Sequence, residues 1–243
     1  MKIDSTQPIS EALRAVFKRL HYPIEIMLTC VRWYVAYPLS LRHIEEMMAE
    51  RSVNVDHATI HRWALKMLPI LAWVCRRRKS AVGRSGRMAL GQPLDETYVK
   101  VTGQWKYRYR AVHRQGDTLD FLFSAKRDRA AARRFLGAIG LHGLPDKISI
   151  DKSGANTAAI ESVIADTGAP LPLRQSQYLN NFVKQDHRSI KRIIRPMLGF
   201  KSFRCARIVL TGIETMHQIR KGQLRNPRGQ APSAAEQFYG LAF

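Results

Sequence analysis

The spacing of apolar residues changes period once along this chain. Up to about residue 75 the period is helical. Residues 24–37 form a strongly apolar helical stretch that Pro38 stops. Ser40 can cap a helix over 41–50, where Leu41, Ile44, Met47 and Met48 share one face. Asp56 can cap another from His57 to about residue 74, with Ile60, Trp63, Ala64, Met67 and Leu71 as its apolar stripe. Residues 1–22 are weakly organised, with room for a short helix over 9–20.

From Pro93 the period is two. Strands are predicted over 94–101, 105–112 and 119–124, with turns at Thr102-Gly103-Gln104 and Gln115-Gly116-Asp117. Asp128 caps a helix to about 139. A short strand over 147–150 ends at Asp151, and Ser153-Gly154-Ala155-Asn156 opens a helix over 157–165. A fifth strand falls at 171–175, and Asn180 or Asn181 caps a long helical region to about 221. The tail from 222 carries Pro, Gly and Ser and reads as loosely held.

The domains expected are therefore 1–75, helical and DNA-binding; 76–92, a basic linker; 93–222, an α/β catalytic domain; and 223–243, a loose tail. The first ends in a helix-turn-helix pattern, whose second helix would present Thr59, Arg62 and Lys66 to DNA. An ordinary helical hairpin fits the same pattern. His57 and His61 have the spacing of a metal pair but no third ligand in view, and read as surface residues.

Charge sharpens this picture. The 243 residues hold 40 Lys/Arg and 19 Asp/Glu, a net charge of +21. Only nine of the basic and seven of the acidic residues precede residue 76. The excess lies beyond it, as a polyanion partner requires, and double-stranded DNA is the natural one. Arg76, Arg77, Arg78 and Lys79 open the linker and are candidate phosphate contacts. No apolar run has the length of a membrane span, and no signal-peptide pattern opens the chain. A cytoplasmic, nucleoid-associated protein is expected. Cys30, Cys75 and Cys205 are scattered, so neither a disulfide framework nor a zinc site is indicated. Trp33, Trp63, Trp73 and Trp105 are assigned to the core.

The β-β-β-α-β-α-β-α order of the second domain is that of a ribonuclease-H-like mixed sheet flanked by helices, whose first and fourth strands lie side by side. Asp95 on the first strand and Asp151 at the end of the fourth would then meet, as carboxylates that share divalent metal must. An exposed polar strand residue and a turn residue are the plain alternatives.

Longer motifs point further. Leu94-Asp95-Glu96-Thr97-Tyr98-Val99-Lys100-Val101, then Gly103-x-Trp105-x-Tyr107-x-Tyr109-Arg110-Ala111-Val112, resembles the IS-six family of bacterial insertion-sequence transposases. So do Asp151-Lys152-Ser153-Gly154-Ala155-Asn156, Tyr178-x-Asn180-Asn181-x-Val183-x-Gln185-Asp186-His187-Arg188 and Pro196-Met197-Leu198-Gly199-Phe200. The resemblance covers residues 23–223. It implies a DDE transposase that binds terminal inverted repeats and target DNA as a homo-oligomer. It also implies strand cleavage and transfer with two Mg2+ (or Mn2+) ions, with Asp95 and Asp151 as the first two catalytic, metal-binding acids.

The third acid does not carry over. Lys184 stands where the family has Glu, and an ammonium has no lone pair for a metal. With Asn181 as N-cap, Lys184 would be the third helical residue, where positive charge opposes the helix dipole. It also starts a basic stripe with Arg188, Lys191 and Arg195. With Arg192, these are further candidate DNA contacts. Asp186 lies about 200° further round the helix and faces elsewhere. His113 departs from the family's Asp at a turn, and His187 matches it. The expected function is a transposase impaired at Lys184. The alternative is an inactive DNA-binding relic that represses or competes at element ends.

Overall fold

The computed structural model describes residues 21–79, 92–112, 117–126, 130–131, 134–135, 148–150, 173–175, 181–225 and 232–243. The predicted helices at 9–20 and 157–165, and His113, lie outside the described residues. The chain divides into two compact units. One joins the residues up to 79 with those from 190 onward. The other holds the residues between.

The first unit is helical. Helices α1 (Ile24–Ala36), α2 (Leu41–Ala49) and α3 (His57–Arg78) form where the apolar spacing placed them. Ser40 caps α2, accepting from the His43 amide while its own N–H donates to the His43 ring. Asp56 caps α3 through the Thr59 amide at 2.9 Å. The connector 50–56 is longer than the three- or four-residue turn usual in a helix-turn-helix. Helix α3 runs on to Arg78, so the first residues of the expected linker are helical.

The predicted long helical region after residue 180 is two helices, α4 (Asn181–Ile194) and α5 (Phe203–Arg220). Pro196 lies in a 3-10 turn, Arg195–Met197, and Leu198 and Gly199 then take φ of 54° and 90°. Two successive left-handed residues end one helix and re-aim the chain. Ser202 caps α5.

Helix α5 packs on α1 and α3. The seam contains Leu28, Val31 and Val35 of α1, Met67, Leu68 and Leu71 of α3, and Val209, Ile213 and Met216 of α5, all buried. Gly212 permits the approach. A Cβ there would lie 2.7 Å from Leu68 Cδ2 and 3.0 Å from Val35 Cγ1. Arg220 donates to the Ala36 carbonyl at 2.6 Å, closing the C-terminus of α1.

The tail corrects the expectation of loose chain. It forms α6 (Ala234–Gly240), with Ser233 and Glu236 in a capping box. Phe238, Leu241 and Ala242 are fully buried. Tyr239 Oη accepts from Arg32 Nε at 3.1 Å, and the Gly240 carbonyl accepts from Arg78 Nη1 at 2.6 Å. The reason is non-local: the apolar end of the tail finds α1 and α5, which its own composition does not reveal.

The second unit holds one mixed sheet. Strands β1 (Gln92–Val101), β2 (Gln104–Val112), β3 (Thr118–Ser124), β4 (Ile148–Ile150) and β5 (Leu173–Gln175) lie in the order β3-β2-β1-β4-β5. The first three are an antiparallel meander, and β1 runs parallel to β4, as β4 does to β5. This is the first-beside-fourth adjacency that the sequence reading required. The β1–β2 turn has Thr102 at φ 50° and Gly103 at φ 77°, the primed geometry that suits strand twist. Of the helix predicted over 128–139, Ala131 and Phe135 are described and buried, and Phe135 packs against Tyr109 of β2.

Gly212→Ala is expected to be near neutral. Its gain in helix propensity, about 1 kcal/mol, offsets a contact that flexible Leu68 can relieve. Gly212→Val is expected to lower stability by about 1–3 kcal/mol through overpacking. Chemical denaturation of the two variants checks both values.

Candidate catalytic centre and nucleic-acid surfaces

The parallel register pairs Leu94 with Ile150. Asp95 follows Leu94 on β1, and the chain leaves β4 directly after Ile150, toward Asp151. Asp151 itself lies outside the described residues. Asp95 occupies the same strand face as Thr97, Val99 and Val101, which are buried, and its cross-strand partner is Arg110.

Arg108 and Arg110 are both fully buried on that face, and Arg110 donates to the Thr118 hydroxyl. Guanidinium groups stay charged at any physiological pH, so the face carries two fixed positive charges beside the Asp95 position. Sequence reasoning missed this. Alternation marked the two positions as facing one side but gave no sign that arginines would be the buried residues.

Lys184 lies on α4, which begins at Asn181. Asn181 is thus inside the helix rather than its cap, and Lys184 is its fourth residue rather than the third. A first helical residue at Asn181 agrees with Asn180, the other cap that the sequence offered, and it is not the later start that a substitution by Asp186 would need. Further along α4, Arg188, Lys191 and Arg192 are exposed, as is Arg195 in the 3-10 turn that follows, while His187, Ile190 and Ile193 are buried. Among the described residues no three His, Cys, Asp or Glu side chains gather to hold a metal ion.

On α3, Arg62 and Lys66 are exposed and Thr59 is half-buried, on the side away from Ile60, Trp63 and Met67. Thr59 and Arg62 are not independent. The Thr59 hydroxyl donates to Asp56 Oδ2 and accepts from Arg62 Nη2, each at 2.6 Å. The hydroxyl bond, then that from the Thr59 amide, holds the Asp56 carboxyl below its ordinary value of 3.8. His57 Nδ1 lies 2.9 Å from Glu45 Oε2, a tie from α3 to α2 rather than a free surface group. Burial lowers the pKa of half-buried His61 by disfavouring its charged form.

The basic run at the end of α3 divides by partner. Arg76 and Arg77 are exposed. Arg78 is bound to Gly240, and Lys79 forms an isolated bridge with Leu224. The Arg77 guanidinium stands 4.7 Å from the Trp73 ring centroid. Two tryptophans correct the core assignment: Trp73 is 54% exposed and Trp105 59%. Trp63 is buried and Trp33 half-buried. All three cysteines are free thiols. Burial pushes Cys30 up to about 12 and Cys75 up to about 11, which leaves both unreactive. Among the described residues no helix is long and apolar enough to cross a membrane.

Comparison with known proteins supplies the class. A family profile described as a DDE domain matches residues 90–223, which contain the whole sheet. The transposase for insertion sequence-like element IS431mec of Staphylococcus aureus is 34% identical over 212 residues, 86% of this chain and 91% of that protein. The transposase for insertion sequence element IS257 in transposon Tn4003, also from Staphylococcus aureus, is 33% identical over the same shares. The HTLV-2 integrase catalytic core domain in complex with magnesium (trimeric form) overlays with a TM-score of 0.40 at 15% identity, over 63% of this chain and 95% of that one. The chain is thus a DDE-domain protein. It belongs to the IS-six family of insertion-sequence transposases.

The Asp56 cap has a pH signature. A carboxyl whose pKa falls on folding stabilises fully above its unfolded pKa, and that contribution is lost as pH falls through the folded value. The thermal midpoint is therefore expected to lose an increment below about pH 4 that Asp56→Asn does not lose. Melts of both proteins from about pH 6 to about pH 3 check it.

Proposed function

We propose that this protein recognises the terminal inverted repeats of an insertion sequence as a homo-oligomer on double-stranded DNA. In the same reading its own strand cleavage and transfer are impaired by Lys184. The observation that carries the reading is the Leu94–Ile150 register. It sets the Asp95 position beside the strand end that leads to Asp151, within a domain matched as DDE.

The first unit would serve as a helix-turn-helix. Thr59, Arg62 and Lys66 face DNA from α3, and Asp56 fixes Arg62 through Thr59 before any base is met. Arg76 and Arg77, and then Arg188, Lys191 and Arg192, suit phosphate contacts. Arg78 donates to the Gly240 carbonyl, and Lys79, joined to Leu224 through its backbone, suits the same use.

Metal fit divides by position. Magnesium takes oxygen ligands. Asp95 and Asp151 offer them, and Lys184 offers none. Bound there, two metal ions would activate the attacking oxygen and stabilise the leaving one. In this reading the Lys184 ammonium would stand in for part of the metal's charge between the two acids. Such a centre holds a DNA phosphate well and a divalent cation poorly.

A second reading follows from the same observation: a protein that occupies element ends without cutting, and so represses or competes with an active copy. Both readings require salt-sensitive, end-specific DNA binding.

The test is strand cleavage and transfer on an oligonucleotide bearing the element's end, with magnesium and then manganese. The protein is compared with Lys184→Glu. The Glu variant is expected to cut at least about a hundredfold faster, the return of a metal ligand worth several kcal/mol. Equal cutting by both would assign the third acid elsewhere and make Asp186 the residue to replace. Two magnesium ions bound at ordinary affinity by the protein as it stands would also overturn the Lys184 account.

A further inference from the structure

The β1–β2 hairpin extends beyond its neighbours. Among the described residues, β3 pairs with β2 only from Tyr107 to Val112, and β4 pairs with β1 only from Gln92 to Leu94. The tip, residues 98–106, is a two-stranded arm. One face of it is closed: Val99 and Val101 are buried. The other carries Tyr98 opposite Tyr107 and Lys100 opposite Trp105.

That second face is open and aromatic. Trp105 is 59% and Tyr98 43% exposed. The Lys100 ammonium stands 5.9 Å from the Trp105 ring centroid, and Tyr98 meets Tyr107 edge to face at 5.7 Å. Further along the same face, Tyr109 is covered by Phe135, so the exposure is confined to the tip. Cross-strand aromatic and cation–π pairs stabilise hairpins. That explains why the residues touch each other but not why more than half of an indole is left in water.

We infer that this face binds unpaired nucleotides of DNA, with bases stacked on Trp105 and Tyr107 and a phosphate held by Lys100. Trp105 and Tyr107 stand two residues apart on one strand, roughly 7 Å by strand rise. They offer successive flat surfaces with an ammonium beside the first. That is the combination by which single strands are held without sequence preference. Duplex bases are already stacked and cannot use it. Charge selects this occupant over a second copy of the chain: with a net charge of +21, two copies meeting at this face would bring lysine against lysine. The inference rests on the nucleic-acid reading above and is independent of whether Lys184 permits cleavage.

The test uses the full chain and fluorescence anisotropy with two probes, a labelled oligothymidylate and a blunt duplex of equal length. Trp105→Ala is expected to weaken oligothymidylate binding about tenfold and to leave duplex binding unchanged. Trp105→Phe, which keeps a flat ring, is expected to restore most of the affinity. Lys100→Gln is expected to reduce the salt dependence of oligothymidylate binding by about one counterion. Trp105 is exposed, so folding should survive, and thermal melts of each variant confirm it. Equal losses on both probes, no loss on either, or failure of the unaltered protein to bind oligothymidylate would overturn the inference. So would a loss of self-association in sedimentation with oligothymidylate binding intact, which would make the face a contact between copies. Failure of the duplex probe alone would count against the reading of the first unit and not against this one.

Discussion

Three residues of parallel pairing, Gln92–Leu94 against Ile148–Ile150, govern what the second unit can do. A parallel pair cannot be closed by a tight turn, so the chain must travel out and back before the two strands meet. The meander β1–β3 occupies that excursion and leaves the free edge of β1 for β4. Because Leu94 pairs with Ile150, Asp95 follows on β1 directly beside the end of β4. A slip of one residue would move Asp95 to the opposite face. The catalytic potential of the domain therefore depends on a short ladder whose alignment is held by the meander on one side and β5 on the other.

The helical unit answers a different demand. Helices α1 to α3 have one apolar face each, and these must be covered within their own unit. Helix α5 supplies the cover, and Gly212 lets it approach closely enough for Leu68 and Val35 to fill the seam. Arg32, Arg78 and Arg220 then tie helix ends and the tail together through carbonyls and a phenol. Not every arginine of a strongly basic protein is therefore an electrostatic contact for a polyanion. In the run after Cys75, the Arg78 side chain closes the tail while Arg76 and Arg77 stay exposed.

Most element positions were legible because they follow local rules. Ser40, Asp56 and the alternation from 94 to 124 act within a few residues of themselves. The features that sequence did not show are those decided at long range. The 183–221 stretch keeps apolar residues at helical spacing on both sides of Leu198 and Gly199, so periodicity ran through the break. The tail looked loose because its burial depends on helices outside it, α5 just before it and α1 some two hundred residues earlier. Trp73 and Trp105 were assigned to the core by bulk, yet an indole also serves where one side is wet. For the candidate site, the strand positions of Asp95 and the helix position of Lys184 could be read. The buried guanidiniums of Arg108 and Arg110 could not, because alternation reports a face and not its depth.

The helical unit is discontinuous in sequence: residues up to 79 and those from 190 onward build one body, with the sheet unit inserted between them. During synthesis the N-terminal helices leave the ribosome long before α5 and α6 exist. They must wait with Leu28, Val35 and Leu68 uncovered while the whole sheet unit is made. A polypeptide interrupted anywhere before α5 thus has its proposed recognition helix but not the body that supports it. The helical body therefore closes only in chains that have already synthesised the sheet unit, so the fold makes the first unit's assembly wait on the second unit's synthesis.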